Sequence, residues 1–264
     1  MSNTVHLIMF MGQSNMAGRG DAEQAPQVPA GIAYEFKSIS QPDRLLPLCE
    51  PFGLGEDNPS GVFEPGMKSG SMVSAFCINY HRETGIPVVG VSCAKGGSCI
   101  GEWMPDGPYY RDAVGRMKTC EAWLTENGYH IGGRYMAWCQ GCTDGDLGTD
   151  SLVYKENTRT VLRSFMEECG IETCFLIQIG NHRDNPAIYV PMQEMQEELA
   201  GEEPSIVMVS RQFKQFAAMG LMRDRYHYKQ EGYNLVGAEA GKNAGIYVAA
   251  HGGSQSEDRE AARA

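Results

Sequence analysis

The sequence predicts an α/β protein with a parallel central sheet that helices cover on both faces. Apolar, β-branched runs recur along the chain, helical patterns separate them, and glycine-rich or polar residues follow most of them. A chain of 264 residues can bury a large core in a single unit of this class. We therefore expect residues 1–251 to form one domain and the polar residues 252–264 to form a flexible tail.

Six strands are predicted from the apolar runs, beginning with VHLIMFM, which reads as a buried strand from its first residue to its last. In chain order the strands are expected at residues 5–11, 32–36, 87–92, 134–138, 173–179 and 205–209. The intervening periodic segments predict helices at residues 71–84, 110–127, 151–169, 188–200 and 230–244. Asp150 or Ser151 is suited to cap the third helix, and Gly85 and Gly128 follow the first two.

Residues 41–70 are rich in Pro, Gly and Asp and show no clear period, so we predict a long loop there. Loops of this length in a compact domain are usually functional. We expect this loop, together with the stretch around Trp103 and Pro105, to line a pocket.

The bulk composition limits the partners and the compartment. A formal net charge of -11 argues against nucleic acid or an anionic membrane surface as the main partner. No apolar run approaches the roughly 18 residues of a membrane span, and the first residues lack the pattern of a signal peptide. The odd count of nine cysteines fits a reducing compartment. We expect a cytoplasmic protein, and no oligomeric state is predicted.

Candidate functional residues follow the predicted strands, because ligands of parallel α/β sheets bind beyond the carboxyl ends of the strands. Ser14 follows the first strand, and a serine hydroxyl becomes a nucleophile when a base takes its proton and a third group orients that base. Asp224 and His227 can supply both roles, because a turn with this spacing lets the carboxylate reach Nδ1 of the imidazole. The chain order Ser, Asp, His also occurs in known triads.

Acyl transfer also requires hydrogen-bond donors for an oxyanion. The N–H of Ser14, the N–H of Gly97 or Gly96 and the side-chain amide of Gln140 are the candidates, because all of them follow strands at one edge of the sheet. Each residue taken alone also fits an ordinary structural role, such as a helix cap for Ser14 or a sharp turn for the glycines.

Four spaced blocks resemble those of the SGNH-type carbohydrate esterases, the group of acetylxylan esterases and sialate O-acetylesterases. The blocks are GQSNMAGRG, AKGGSCIGEW, WCQG and DRYHYKQEGYNLVG, and they run in the family's order from residue 12 to about residue 237. The resemblance implies a three-layer α/β/α, flavodoxin-like fold and hydrolysis of acetyl esters on sugars, without a cofactor or metal. It implies a small acetylated carbohydrate as the partner.

The resemblance also carries site residues over to this sequence. Its nucleophile falls on Ser14, and its acid and base fall on Asp224 and His227. The oxyanion donors fall on Ser14, the Gly96-Gly97 pair and Gln140. Gln13 and Asn15 match flanking positions, and we expect Asn15 to hold the loop; with Gly96 and Trp103 they are expected to bind substrate or support the loops.

The third block departs from the family pattern, which usually reads Trp-His-Gln-Gly-Glu. This chain has Cys139 and Cys142 in place of the His and the Glu, and Asp144 is the candidate to replace part of the missing carboxylate. The departure leaves two alternatives open. One is an inert carbohydrate-binding protein on the same scaffold, and the other is thiol–disulfide exchange by the C-x-x-C pair, although the residues that follow the pair read as a loop rather than a helix.

His182 and Asp184 form a second histidine–carboxylate pair, after the fifth predicted strand. No nucleophile accompanies them in the sequence pattern. We therefore expect this pair to brace a loop.

Overall fold

A seven-stranded sheet organises the computed structural model, which describes residues 3–251. In chain order the strands are β1 (Thr4–Gly12), β2 (Ala33–Lys37), β3 (Gln41–Pro47), β4 (Val88–Ala94), β5 (His130–Cys139), β6 (Thr173–Ile177) and β7 (Ile206–Ser210). Their order across the sheet is β3-β2-β4-β1-β5-β6-β7. Every neighbouring pair is parallel except β2 and β3.

Seven α-helices accompany the sheet in the described chain. They are α1 (Ser14–Ala17), α2 (Val73–Thr84), α3 (Pro108–Glu126), α4 (Cys142–Leu147), α5 (Ser151–Cys169), α6 (Val190–Glu202) and α7 (Gln230–His251). Residues of α2 and α7 pack in one apolar cluster and residues of α3, α5 and α6 in another. The predicted three-layer α/β/α fold is confirmed.

The central strand β1 contributes to both apolar clusters, because successive side chains of a strand point to opposite faces. Leu7 and Met9 are buried with α3, α5 and α6, whereas Ile8 and Phe10 are buried with α2 and α7. Fully burying a side chain of this size contributes about 1.5–3 kcal/mol. This two-sided burial explains the nearly continuous apolar run of β1.

The helix ends show the expected capping. The carboxylate of Asp150 accepts hydrogen bonds from the N–H groups of Leu152 and Val153 at the start of α5. Gly85 ends α2 in the left-handed region, with φ of 67°.

The expected loop at residues 41–70 is only partly irregular, because β3 occupies its beginning. Side chains of β3 are exposed or half-buried, so the strand has no apolar pattern that would reveal it. Its existence depends on antiparallel pairing with β2 at the sheet edge, where Glu35 faces Leu46. The prediction of a loop was wrong for this part and holds for the segment that leads from β3 to α2.

No helix within residues 3–251 is long and apolar enough to cross a membrane. The tail expected at residues 252–264 lies outside the described residues. The assignment of residues 1–251 to one domain stays a prediction.

Candidate active site

Ser14 lies just beyond the carboxyl end of β1. The preceding strand ends at Gly12, which faces Cys139 of β5, and a Cβ at position 12 would lie 2.1 Å from the carbonyl oxygen of Cys139. Only glycine fits this close approach, at a φ of 124°. The chain then turns into α1, whose first residue is Ser14, and leaves the serine 7% exposed at the edge of the sheet.

His227 and Asp224 come from the segment between β7 and α7. His227 Nε2 lies 2.9 Å from Ser14 Oγ, and His227 Nδ1 lies 2.8 Å from Asp224 Oδ2. The N–H of Arg223 donates to the carbonyl of His227 at 2.8 Å and closes the turn. The structure therefore brings the serine, the imidazole and the carboxylate into one hydrogen-bonded chain, the arrangement that can activate a serine.

Backbone donors hold Asp224 in its ionised form. Its other oxygen, Oδ1, accepts from the N–H groups of Tyr226 and His227, both at 2.8 Å. Partial burial raises the pKa of Asp224, but these hydrogen bonds and the imidazole outweigh burial, so the pKa lies below its ordinary value. An ionised carboxylate fixes the tautomer and the orientation of the ring.

Gln13 and Asn15 tie Ser14 to its surroundings. Gln13 Oε1 accepts from the N–H groups of Gly141 and Cys142 at 2.9 and 3.0 Å. Asn15 donates to the carbonyl of Tyr226 at 3.1 Å and accepts from the hydroxyl of Tyr233 at 2.7 Å. The contacts of Asn15 are those of a residue that holds the serine loop against the histidine turn.

Two backbone N–H groups beside Ser14 are available to an oxyanion. Gly97, with φ of 71°, lines the same cavity as Ser14, and its N–H has no hydrogen-bond acceptor within residues 3–251. Ser14 is the first residue of α1, where no preceding turn accepts its N–H. The N–H of Gly96 is occupied, because it donates to Glu64 Oε1 at 2.6 Å.

Ser14 and His227 open into a cavity of about 580 Å³. Residues from the irregular segment before α2 form one wall, as the sequence predicts. Sequence reasoning did not single out Phe63, Glu64, Met67 or Tyr226 as lining residues, because nothing in the local pattern shows which side chains of an irregular segment face inward. The remaining residues at the cavity are Gln13, Arg19, Pro65, Lys95, Gly96, Gly97, Cys142, Thr143 and Asp146.

A family model described as carbohydrate esterase, sialic acid-specific acetylesterase, matches residues 4–245. The chain belongs to this carbohydrate esterase family. The predicted resemblance to SGNH-type carbohydrate esterases is thereby confirmed, and this carbohydrate esterase is a carboxylic ester hydrolase.

Solved structures share the fold of this esterase. A protein from Arabidopsis thaliana is 20% identical, with a TM-score of 0.69, over 94% of this chain and 99% of that chain. NanS is 12% identical, with a TM-score of 0.64, over 94% and 98% of the two chains. XAC1771, a carbohydrate acetylesterase from Xanthomonas citri, is 15% identical, with a TM-score of 0.58, over 92% of this chain and 57% of that chain. A search of the curated proteins finds no match.

The structure does not place Gln140 of the esterase as an oxyanion donor. The side chain is fully buried, and its Nε2 donates to the carbonyl of Ser98 at 3.1 Å and to Asp144 Oδ2 at 2.6 Å. An amide nitrogen has two hydrogens, so none remains for a ligand. Asp144 also accepts from the N–H of Ile100 at 2.9 Å, so Gln140 and Asp144 join the end of β5 and α4 to the loop that follows β4.

Trp103 supports a loop and does not line the cavity. Its ring is fully buried, contacts Trp138 edge to face at 5.7 Å, and donates through Nε1 to Ser98 Oγ at 2.9 Å. The expectation that the stretch around Trp103 forms the pocket wall was wrong for this residue. Burying its large apolar ring in the core decided its position.

Both thiols of the C-x-x-C pair are buried in the esterase. The expectation that a loop follows the pair was wrong, because α4 begins at Cys142, where Gln13 Oε1 accepts two backbone N–H groups. Burial raises the pKa of Cys139 to about 12 and that of Cys142 well above its ordinary value. Thiol exchange requires a thiolate, which burial disfavours here.

The second histidine–carboxylate pair, His182 and Asp184, lies beside the site, where the ring of His182 contacts that of Tyr226. His182 Nδ1 accepts from the N–H of Asn185 at 3.0 Å, and Asp184 pairs with Arg183 and Arg225, each at 2.9 Å. These contacts are those of a braced loop.

Proposed function

We propose that this esterase removes O-acetyl groups from a carbohydrate through a covalent acetyl-enzyme on Ser14. One observation carries the proposal: Ser14 Oγ, His227 and Asp224 form a continuous hydrogen-bonded chain with links of 2.9 and 2.8 Å beside a cavity. The family match and the acetylesterase from Xanthomonas citri, which shares the fold, support this class of substrate.

In the acylation step, Ser14 Oγ attacks the acetyl carbonyl carbon while His227 Nε2 takes the hydroxyl proton. The N–H groups of Ser14 and Gly97 stabilise the resulting oxyanion. The bond between the carbonyl carbon and the sugar oxygen then breaks, and His227 returns its proton to that oxygen. Asp224 stabilises the imidazolium in between.

In the deacylation step, water attacks the acetyl group on Ser14 while His227 takes a proton from the water. A second oxyanion forms at the same donors and collapses, with the bond to Ser14 Oγ breaking. His227 protonates Ser14 Oγ, and acetate leaves.

The cavity suits a sugar because it combines apolar and polar surfaces. Phe63 and Met67 are exposed at the cavity, so their apolar surface is available to the face of a sugar ring. Lys95 also lines the cavity, and its Nζ donates to the carbonyl of Gly96 at 2.8 Å. The proposal includes a small-molecule partner rather than nucleic acid or membrane, which the net charge of -11 supports.

A cytoplasmic site of action is also part of the proposal. Its support is cysteine usage, because seven of the nine cysteines are buried as free thiols. Fractionation of the native cells, with thiol-specific labelling of the cysteines of the protein, tests this point. Recovery of the protein outside the cytoplasm would contradict it.

Substitution of Ser14 by alanine tests the mechanism. The S14A variant should keep its fold, because the hydroxyl is small and lies at the cavity, and should lose turnover of p-nitrophenyl acetate by about 10³-fold or more. Circular dichroism and thermal melting check the fold. Undiminished turnover by folded S14A would contradict the assignment of Ser14 as the nucleophile.

An acetate-release screen tests the substrate class. O-acetylated sialate, acetylated xylan fragments and simple aryl acetates are each incubated with wild type and with S14A, and acetate is measured. Serine-dependent release from an acetylated sugar supports the proposal. Binding of acetylated sugars without release by wild type would instead support the inert carbohydrate-binding alternative.

A further inference from the structure

Glu64 lines the cavity of this esterase and contacts the turn at residues 95–97, which we call the oxyanion turn because it carries the proposed donor Gly97. It lies in the irregular segment before α2, is 5% exposed, and matches none of the four family blocks. Its Oε1 accepts two hydrogen bonds, from the N–H of Gly96 at 2.6 Å and from Arg19 Nη2 at 2.7 Å. Charge-assisted hydrogen bonds of this length are the stronger kind.

The hydrogen bond from Gly96 to Glu64 fixes the peptide group that precedes the proposed oxyanion donor, the N–H of Gly97. A Cβ at position 96 would lie 2.2 Å from Glu64 Oε1 and 2.3 Å from Arg19 Nη2, so the carboxylate and the guanidinium approach the bare backbone. On the other side of the turn, the N–H of Lys95 donates to the carbonyl of Gly12 at 2.9 Å. The turn is therefore held at two consecutive N–H groups, and that of Gly97 has no acceptor among the described residues.

Arg19 connects Glu64 to the second donor, the N–H of Ser14. Its Nη1 donates to the carbonyl of Gly18 at 2.8 Å, and Gly18 caps the short helix α1 that begins at Ser14. The same nitrogen donates to the carbonyl of Met67 at 3.0 Å. A chain of hydrogen bonds thus runs from the helix of Ser14 through Arg19 and Glu64 to the turn of Gly97.

Glu64 is itself fixed from its own segment. Its N–H donates to Asp57 Oδ1 at 2.6 Å, and its carbonyl accepts from the N–H of Met67 at 3.1 Å. The carboxylate is therefore held from the backbone side while it holds Gly96.

We propose that Glu64, with Arg19, is a positioning residue that sets the placement of the two oxyanion donors relative to each other. The inference rests on the proposed serine mechanism. The negative charge on the carbonyl oxygen develops only in the transition state, so misplacing its donors lowers kcat and leaves KM nearly unchanged. Both acylation and deacylation pass through this oxyanion, so the effect does not depend on which step limits turnover.

Alanine and glutamine at position 64 separate the positioning role from charge. E64A removes the acceptor of Gly96 and should lower kcat for p-nitrophenyl acetate by about 10- to 100-fold, with KM changed by less than about threefold. E64Q keeps an oxygen in place of Oε1 for both donors and should retain kcat within about threefold of wild type. The rates are expressed per folded protein, measured by circular dichroism and thermal melting.

Glu56 offers a matched control. It lies in the same segment, is similarly buried, and accepts from the N–H groups of Ile39 and Ser40 at 3.0 and 2.9 Å. Among the described residues its side chain has no hydrogen bond to the oxyanion turn. E56A should lower the melting temperature while kcat per folded protein stays at the wild-type value.

Two results would overturn the inference. One is an E64A variant that loses only melting temperature, as E56A does, which would make Glu64 a structural residue. The other is an increase in KM with unchanged kcat, which would make Glu64 a ground-state binding residue. Failure of the proposed function is a separate result, because S14A would then turn over the substrate as fast as wild type, or wild type would not turn it over at all.

Discussion

At the scale of single residues, the site depends on which hydrogens and lone pairs are already occupied. Within the part of the chain that the structure describes, the N–H of Gly97 has no acceptor. The N–H of Gly96 instead donates to Glu64, and the amide of Gln140 donates to Ser98 and Asp144. Residue type alone does not separate these cases. The hydrogen-bond partners decide which of three chemically suitable donors can serve an oxyanion.

Asp224→Asn tests the role of the carboxylate at the same scale. The amide oxygen of Asn can still accept from the N–H groups of Tyr226 and His227, so the turn stays folded. Its NH₂ group faces His227 Nδ1 and shifts the ring proton to Nε2, which then cannot take the proton of Ser14. We expect kcat to fall by about 10²- to 10⁴-fold, measured with p-nitrophenyl acetate.

Asp184→Asn is the control for this substitution, because Asp184 is a neighbouring carboxylate that pairs with Arg183 and Arg225. Its kcat should equal that of wild type. Equal activity of D224N and D184N would contradict the assigned role of Asp224.

At the scale of elements, α7 packs against α2 with its backbone close to that of its neighbour. Glycines recur every four residues on α7, at Gly237, Gly241 and Gly245. A Cβ at Gly241 would lie 2.1 Å from the carbonyl oxygen of Phe76, and one at Gly237 would lie 2.3 Å from that of Met72. The i, i+4 spacing puts these glycines on one face of the helix, where the two helices touch.

Gly241→Ala should therefore destabilise the protein despite the higher helix propensity of alanine. The added methyl group must push α7 away from α2, at a cost of about 1–3 kcal/mol in the free energy of unfolding. Urea denaturation followed by circular dichroism measures the change. Gly115→Ala is the control: position 115 is exposed in α3, and beyond the local helix backbone no atom lies within 4 Å of the added Cβ. This variant should be more stable by about 0.5–1 kcal/mol. Equal stability of G241A and wild type would contradict the close packing.

At the scale of the whole molecule, buried charges attach the irregular segment before α2 to the sheet and to α3. Arg116 donates to the carbonyls of Ser92 and Glu56 at 3.0 and 2.8 Å, and Glu35 accepts from the N–H of Gly53 at 2.8 Å. The segment that forms the cavity wall is therefore tied to the folded unit, and one of its buried anchors, Glu35 of β2, can ionise.

Glu35 makes this stability depend on pH. Burial raises the pKa of Glu35 to about 7, against the opposing effects of Lys37, the N–H of Gly53 and Lys68. The folded protein then binds more protons than the unfolded chain between about pH 4.5 and 7. Stability from this group is accordingly full below pH 4.5 and falls as the pH rises to 7, by at most about 3 kcal/mol.

Glu35→Gln should remove this loss, because the amide cannot ionise and its oxygen still accepts from Gly53. The variant should match wild type in acid and exceed it in free energy of unfolding above pH 7, as measured by urea denaturation at a series of pH values. Glu126→Gln, an exposed substitution at the end of α3, serves as the control for the charge change. A variant less stable than wild type above pH 7 would show that Glu35 is ionised and stabilised by its cations.

Much of the architecture was accessible from local pattern. The apolar runs and helical periods of the sequence predict six of the seven strands and the five long helices. They can do so because the residues on the buried faces of these elements are apolar and recur at the spacing of the strand or helix. The strand β3 carries no such period, since its side chains face solvent and its partner β2 holds it through the backbone. The short helix α4 was missed because contacts from Gln13 rather than periodicity begin it.

The sequence by itself determined the α/β class, the position of Ser14 at the end of the first strand, and the spacing that joins Asp224 to His227, because these features depend on neighbouring residues. Only the tertiary structure decided that both amide hydrogens of Gln140 are used within the protein, that Trp103 is buried, and that Glu64 accepts a hydrogen bond from Gly96. Those contacts join residues far apart in the chain, and which atoms meet depends on how the strands and loops pack, which no local pattern records.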